Sequence, residues 1–161
     1  MPVSRKIDEF DRALLSLLQG DALLTAEELA ERVALSPSAI ARRLRRLRST
    51  GAIVANRAVL ADSVEPLLAA LIEVVLSRHE VSEVTALIRK LEASPTVQMV
   101  VEVSGAVDIV LLVVAPDIAG FNAFADAELA DHPAVARYET RFVKRRHKFS
   151  NSIPLFAKAE Q

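Results

Sequence analysis

The 161-residue chain has no cysteine and no tryptophan. Without thiols, disulfide bracing, thiolate nucleophiles and cysteine metal sites are excluded, and the composition suits a reducing compartment. Aromatic residues make up only 4% of the chain, so its core must come from Leu, Val, Ile and Ala. The three histidines show no ligand spacing, and no metal is expected. There is no glycine-rich phosphate loop and no nucleophile elbow, so neither a catalytic residue nor a cofactor is expected. Residues 1–12 are polar and charged, unlike a signal peptide. The apolar run 107–115 is too short to cross a bilayer as a helix. The expected location is therefore the cytoplasm, with no membrane partner.

What is present is a globular composition, with 52% hydrophobic and 25% charged residues. The net charge of −1 hides an asymmetry: residues 1–60 hold ten Lys/Arg against seven Asp/Glu, and residues 61–161 hold ten against fourteen. A basic first half points to an anionic partner for that half.

The basic charge concentrates in 35–48, LSPSAIARRLRRLR. Ser36 suits a helix N-cap and Pro37 the first helical position, where a missing N–H costs nothing. Ile40, Leu44 and Leu47 recur at i, i+4, i+7 as one buried stripe. At about 100° per residue, Ser38, Arg42 and Arg45 fall opposite that stripe, with Arg46 beside them. Six arginines and no acid lie between Ser36 and Arg57, a composition suited to phosphates and guanine edges. Ser38, Ala39 and Arg42 lie early on the outer face, where a reading helix meets base edges. Arg45 and Arg46 are expected at phosphates, and the Ser36 N–H at another. Arg43 lies about 60° from the stripe, which suits an ion pair or DNA equally.

Ile7, Phe10, Leu14, Leu17 and Leu18 predict a first helix over 8–19. Thr25 and Glu28 form a capping box before a short second helix. With the third helix, these predict a helix-turn-helix. After Gly51, residues 52–60 alternate and are β-branched, which predicts a strand and thus a wing, with Arg57 beside the duplex backbone.

Residues 61–66 read as a linker. Beyond it come strand 67–76, helix 81–92, strand 97–103, strand 107–115, helix 117–130 and strand 135–143. Residues Val97, Met99, Val101 and Val103 are expected on one side of the second strand. This βαββαβ order is the ferredoxin-like arrangement. Both helices should cover one sheet face, and the other is too apolar for water, so a second copy of the chain is expected to cover it. Asp108 opens a very apolar strand, where it either caps the turn after Gly105 or meets an ammonium group. Thr140 lies on the inward face with Tyr138 and Phe142, where its hydroxyl meets either an effector or only a neighbouring backbone group. Arg137, Arg141, Lys144, Arg145, Arg146 and Lys148 form a second basic run, read as a solvated edge or as inter-subunit pairing. The expected fold is thus α+β: a winged helix-turn-helix over 1–60, the linker, a ferredoxin-like domain over 67–150 and a tail over 151–161.

The chain resembles the Lrp/AsnC, or feast/famine, family of transcription regulators. The resemblance rests on Ile7-Asp8-x-x-Asp11-x-x-Leu14-Leu15 and on Glu28-Leu29-Ala30-x-x-Val33-x-Leu35-Ser36-Pro37-Ser38. It continues in Arg42-Arg43-Leu44-x-Arg46-Leu47, Ser104-Gly105-x-x-Asp108, His132-Pro133-x-Val135 and Thr140. Leu23, Asn56 and Val107 depart from the family pattern. The resemblance implies a sequence-specific regulator of double-stranded DNA that dimerises through its sheet and often assembles to tetramers or octamers. It also implies a small effector, often an amino acid, bound between effector domains near Ser104, Gly105, Ala106, Val107 and Asp108, with Thr140. The alternative is an enzyme subunit like those of sirohaem decarboxylase, which share the architecture.

Overall fold

The computed structural model describes residues 7–61, 63–77 and 81–155. Asp62 of the expected linker, His79 and the end of the expected tail lie outside these residues. Two compact units emerge: residues 1–59 with 149–161, and residues 60–148. The described part of the expected tail, 151–155, therefore groups with the first unit, as do residues 149–150 of the expected ferredoxin-like domain.

In the first unit, helices α1 (Glu9–Gly20), α2 (Ala26–Ala30) and α3 (Pro37–Ser49) each begin at a cap that the sequence encodes locally. Asp8 accepts the Asp11 N–H at 2.8 Å. Thr25 accepts the Glu28 N–H at 3.2 Å, while Glu28 accepts the Thr25 N–H at 2.8 Å. Ser36 accepts the Ala39 N–H at 3.3 Å. Leu14, Leu29, Ile40, Leu44 and Leu47 then bury together as the core of this unit. The chain leaves α3 through Gly51, whose φ of +73° is easy only for glycine. From the other end of the chain, Ile153 meets α1: its N–H donates to Gln19 Oε1 at 2.7 Å, and its carbonyl accepts from Gln19 Nε2 at 3.1 Å.

The strand expected over 52–60 is not formed. These residues have no ladder partner, and Val59 is 97% exposed. β-branched alternation marks a chain that fits a sheet, but a strand exists only against a neighbour. The first unit is thus a helix-turn-helix without a wing strand among the described residues, and Arg57 lies in exposed irregular chain.

The second unit runs β1 (Leu68–Leu76), α4 (Val81–Ala93), β2 (Val97–Glu102), β3 (Ile109–Ala115), α5 (Ile118–Ala125) and β4 (Val135–Phe142). A π-helical turn, Asp126–Ala130, extends α5. The sheet is antiparallel in the order β2-β3-β1-β4, which is the ferredoxin-like topology. On its covered face Ala70, Ile72, Val74, Ile109, Leu111 and Val113 meet Leu87 and Leu91 of α4 and Phe121 and Ala125 of α5. Phe142 joins this face edge-on to Phe121, with 5.0 Å between ring centres.

The opposite face follows from alternation along the strands. It carries Leu71, Val75, Val110, Leu112 and Val114, with Leu71 38% exposed. β2 departs from expectation. Val97 pairs with Val113, but a bulge then sets Met99 opposite Leu112 and Val100 opposite Leu111. Val97 and Val100 therefore pack on the core, and Met99 and Val101 turn to the open face. One extra residue is enough to exchange the two faces of a strand.

Candidate nucleic-acid interface

α3 presents two kinds of arginine. Arg42 and Arg45 are exposed, away from the buried Ile40, Leu44 and Leu47. Ser38 is also exposed at the start of the helix, its hydroxyl 3.2 Å from that of Ser36. Pro37 occupies the first turn, where no N–H is needed. Ala39 is partly exposed, and its small side chain lets a partner approach the helix closely.

Arg43 and Arg46 instead reach back to α1. Arg43 Nη1 donates to Asp8 Oδ2 at 2.6 Å and to Asp11 Oδ1 at 2.9 Å. Its guanidinium lies over the Phe10 ring, 5.5 Å from the centre, a cation–π contact. Arg46 Nη2 donates to Asp11 Oδ2. The structure thus places Arg43 in an ion pair rather than on the outer face. Periodicity places Phe10 on the apolar side of α1, but sequence reasoning gives Asp8 and Asp11 no partner on α3. The only local signal was Asp8-x-x-Asp11, an acid three residues after a cap.

Asp8 works against some burial, but the Arg43 hydrogen bond, the Asp11 N–H and the nearby guanidinium charges together hold its carboxyl below the ordinary value near 3.8. Glu28 is held below its ordinary 4.5, first by the Thr25 N–H and then by the Thr25 hydroxyl. Both contributions to folding are complete above those ordinary values and are lost as pH falls through the lower folded ones. Asp8→Asn is therefore expected to lower the melting temperature of the first unit at pH 6, with the difference shrinking by pH 3. A thermal melt series by circular dichroism checks this, and a difference that persists at pH 3 contradicts it.

The expected ligand site lies in the second unit. Ser104, Gly105 and Ala106 form an exposed turn with Gly105 at φ +138°, a conformation that side chains disfavour. Val107 is half-buried beside it. Asp108 closes the turn. Its N–H donates to Val74 O at 2.9 Å, its carbonyl accepts the Val103 N–H at 2.9 Å, and its Oδ2 accepts the Leu76 N–H at 2.8 Å. That last bond meets β1 at the bulge between Val75 and Leu76. One carboxylate oxygen of Asp108 is thus engaged in structure. Thr140 does not join this turn within one chain. It pairs with Ile72 on the far side of β1, which puts it about 14 Å away by strand spacing and rise.

The second basic run is partly neutralised, since Arg141 pairs with Glu73 and, at 3.3 Å, with Glu139. Lys144, Arg145 and His147 line an open groove of about 540 Å³ with Leu71. No helix among the described residues is long and apolar enough to cross a membrane.

Comparison with known proteins agrees with this division of labour. An AsnC-type helix-turn-helix domain matches residues 7–48, and an Lrp/AsnC ligand binding domain matches residues 69–153. A leucine-responsive regulatory protein of Rhizobium meliloti is 35% identical over 80% of this chain and 83% of its own. A transcriptional regulator of Neisseria meningitidis, solved with L-Met, superposes with a TM-score of 0.83 at 31% identity, over 92% of this chain and 97% of its own. A feast or famine regulatory protein of M. tuberculosis, solved with L-methionine, gives 0.79 at 25% identity, over 92% and 99%. These relatives are regulators, and the alternative enzyme-subunit reading finds no support among them. The chain belongs to the Lrp/AsnC family of transcriptional regulators.

Proposed function

We propose that the chain reads double-stranded DNA with α3, acting as a binding protein rather than an enzyme. The observation that carries this reading is the capped N-terminus of α3, with Ser38 and Arg42 exposed opposite a fully buried apolar stripe. Ser38, Ala39 and Arg42 meet base edges, while Ser36, Pro37, Arg45 and Arg46 line the adjoining phosphates. Arg57, in the exposed chain after α3, adds a backbone contact. Arg43 belongs to the scaffold behind this surface.

The open sheet face pairs with a second copy, so that one homodimer offers two reading helices to adjacent half-sites, and dimers assemble further to tetramers or octamers. An amino acid is the effector. It sits between effector domains at the Ser104–Asp108 turn, with Thr140 supplied by another copy, since one chain does not bring the two together. The Asp108 carboxylate suits its ammonium group. Effector binding shifts the spacing of the paired helices. The cytoplasm, where the DNA lies, is the site of action.

The test is selection of bound genomic fragments, followed by titration of the recovered operator with and without an amino-acid mixture. Arg42→Ala is expected to weaken operator binding by about 1–3 kcal/mol and to relax preference at one position of each half-site. Unchanged affinity and preference would remove Arg42 from the reading surface. Indifference to the amino-acid mixture would remove the effector.

A further inference from the structure

Among the described residues, Asp11 is the fully buried charge, at 0% exposure. Such a carboxylate is unfavourable unless donors surround it. Three do: the Asp8 N–H at 3.2 Å, Arg43 Nη1 at 2.9 Å and Arg46 Nη2. The two arginines are held differently. Arg43 is shared between Asp8 and Asp11, lies on Phe10, and keeps only 22% of its side chain exposed. Arg46 pairs with Asp11 alone, and 43% of its side chain is exposed. It also lies one helical turn beyond Arg42, on the same side of α3.

A guanidinium is a rigid plane with N–H donors along more than one edge. A buried acceptor that takes one edge fixes the direction of the others. We propose that Asp11 is a positioning residue for DNA reading. It grips the Arg46 guanidinium by one edge so that a second edge meets a backbone phosphate next to the bases read by Arg42, and it withdraws Arg43 from the DNA. This rests on the assignment of α3 as the reading helix. On this account α1 sets the register of α3 on the duplex, because a phosphate contact of fixed direction fixes where the base-reading residues fall. The buried carboxylate also makes the α3 surface less indiscriminately cationic, which favours specific over non-specific binding.

The full-length protein is titrated with the selected operator and with a random duplex across a range of salt concentrations. Asp11→Asn keeps the size of the side chain and removes its charge. Operator affinity is expected to fall about tenfold, while affinity for random DNA holds or rises and the slope of log K against log salt steepens by up to about 1. A merely structural role would lower both affinities by one factor and leave the slope unchanged, and that result overturns the proposal. If Asp11→Asn does not fold, Arg46→Lys carries the test, since it keeps the charge and loses the fork. Its operator affinity is expected to fall about fivefold or more at an unchanged salt slope, and wild-type affinity overturns the proposal. Arg42→Ala separates the two levels. If it binds operator like wild type, the reading-helix assignment fails and the proposal with it. If it weakens binding while the Asp11 and Arg46 variants do not, only the positioning role fails.

Discussion

Leu112→Glu is expected to leave the effector domain folded, to convert the protein to a monomer and to weaken operator binding on the order of 100-fold or more. Leu112 stands in the middle of the open sheet face, between Leu71 on β1 and Met99 on β2. Its neighbours Leu111 and Val113 point the other way, into the fully buried core under α4 and α5. A carboxylate at position 112 therefore leaves the core intact and puts an unpaired charge among Leu71, Met99 and Val110, the apolar part of a face whose β4 side carries Glu73, Glu139 and Arg141. Desolvating that charge costs several kcal/mol, about what an interface of this kind can lose before it separates. A monomer offers one α3 to one half-site and forgoes the avidity of the pair. Sedimentation velocity and anisotropy titration measure the two effects. A dimer that persists with Glu at position 112 would show that the sheet face is not the dimer contact.

Asp11→Ala is expected to destabilise the first unit by about 1.5–3 kcal/mol, measured as a lower urea midpoint for its helices. Removing the carboxylate strips a partner from both guanidinium groups: Arg43 keeps Asp8 and the Phe10 ring, while Arg46, 43% exposed, turns to water. The cost comes from the lost charge-assisted bonds between α1 and α3. Asp8→Asn should cost much less, because the Asp8 side chain is 45% exposed and water replaces part of what is lost. Equal losses from the two variants would contradict this ranking.

The contrast between these residues shows what the sequence makes legible. The caps at Thr25 and Ser36 are local: each joins groups three residues apart, and spacing alone finds them. The face of α3 is equally legible, since Ile40, Leu44 and Leu47 are buried as their period requires. The role of Asp11 is not, because its arginine partners lie 32 and 35 residues further on. Its spacing reveals a cap, while its burial depends on how α1 meets α3. The order of strands and helices in the effector domain follows from alternation and period, and the apolar character of β3 on both faces matches its burial. Alternation failed where one residue was inserted, after Val97. It also failed at 52–60, where strand-like residues have nothing to pair with. At the proposed ligand site, the turn at Gly105 is legible in the sequence. The engagement of Asp108 with the Leu76 N–H, 32 residues away, was not.

The reciprocal pairing of Gln19 with Ile153 makes the effector domain an insertion. Among the described residues, the first unit is assembled from residues 7–59 and 149–155, on either side of the sheet domain in the chain. Editing residues 149–155 is therefore editing the neighbourhood of α1. A truncation after Lys148 strips the Gln19 amide of its backbone partner. A reporter meant to follow the effector domain alone belongs in one of its own turns.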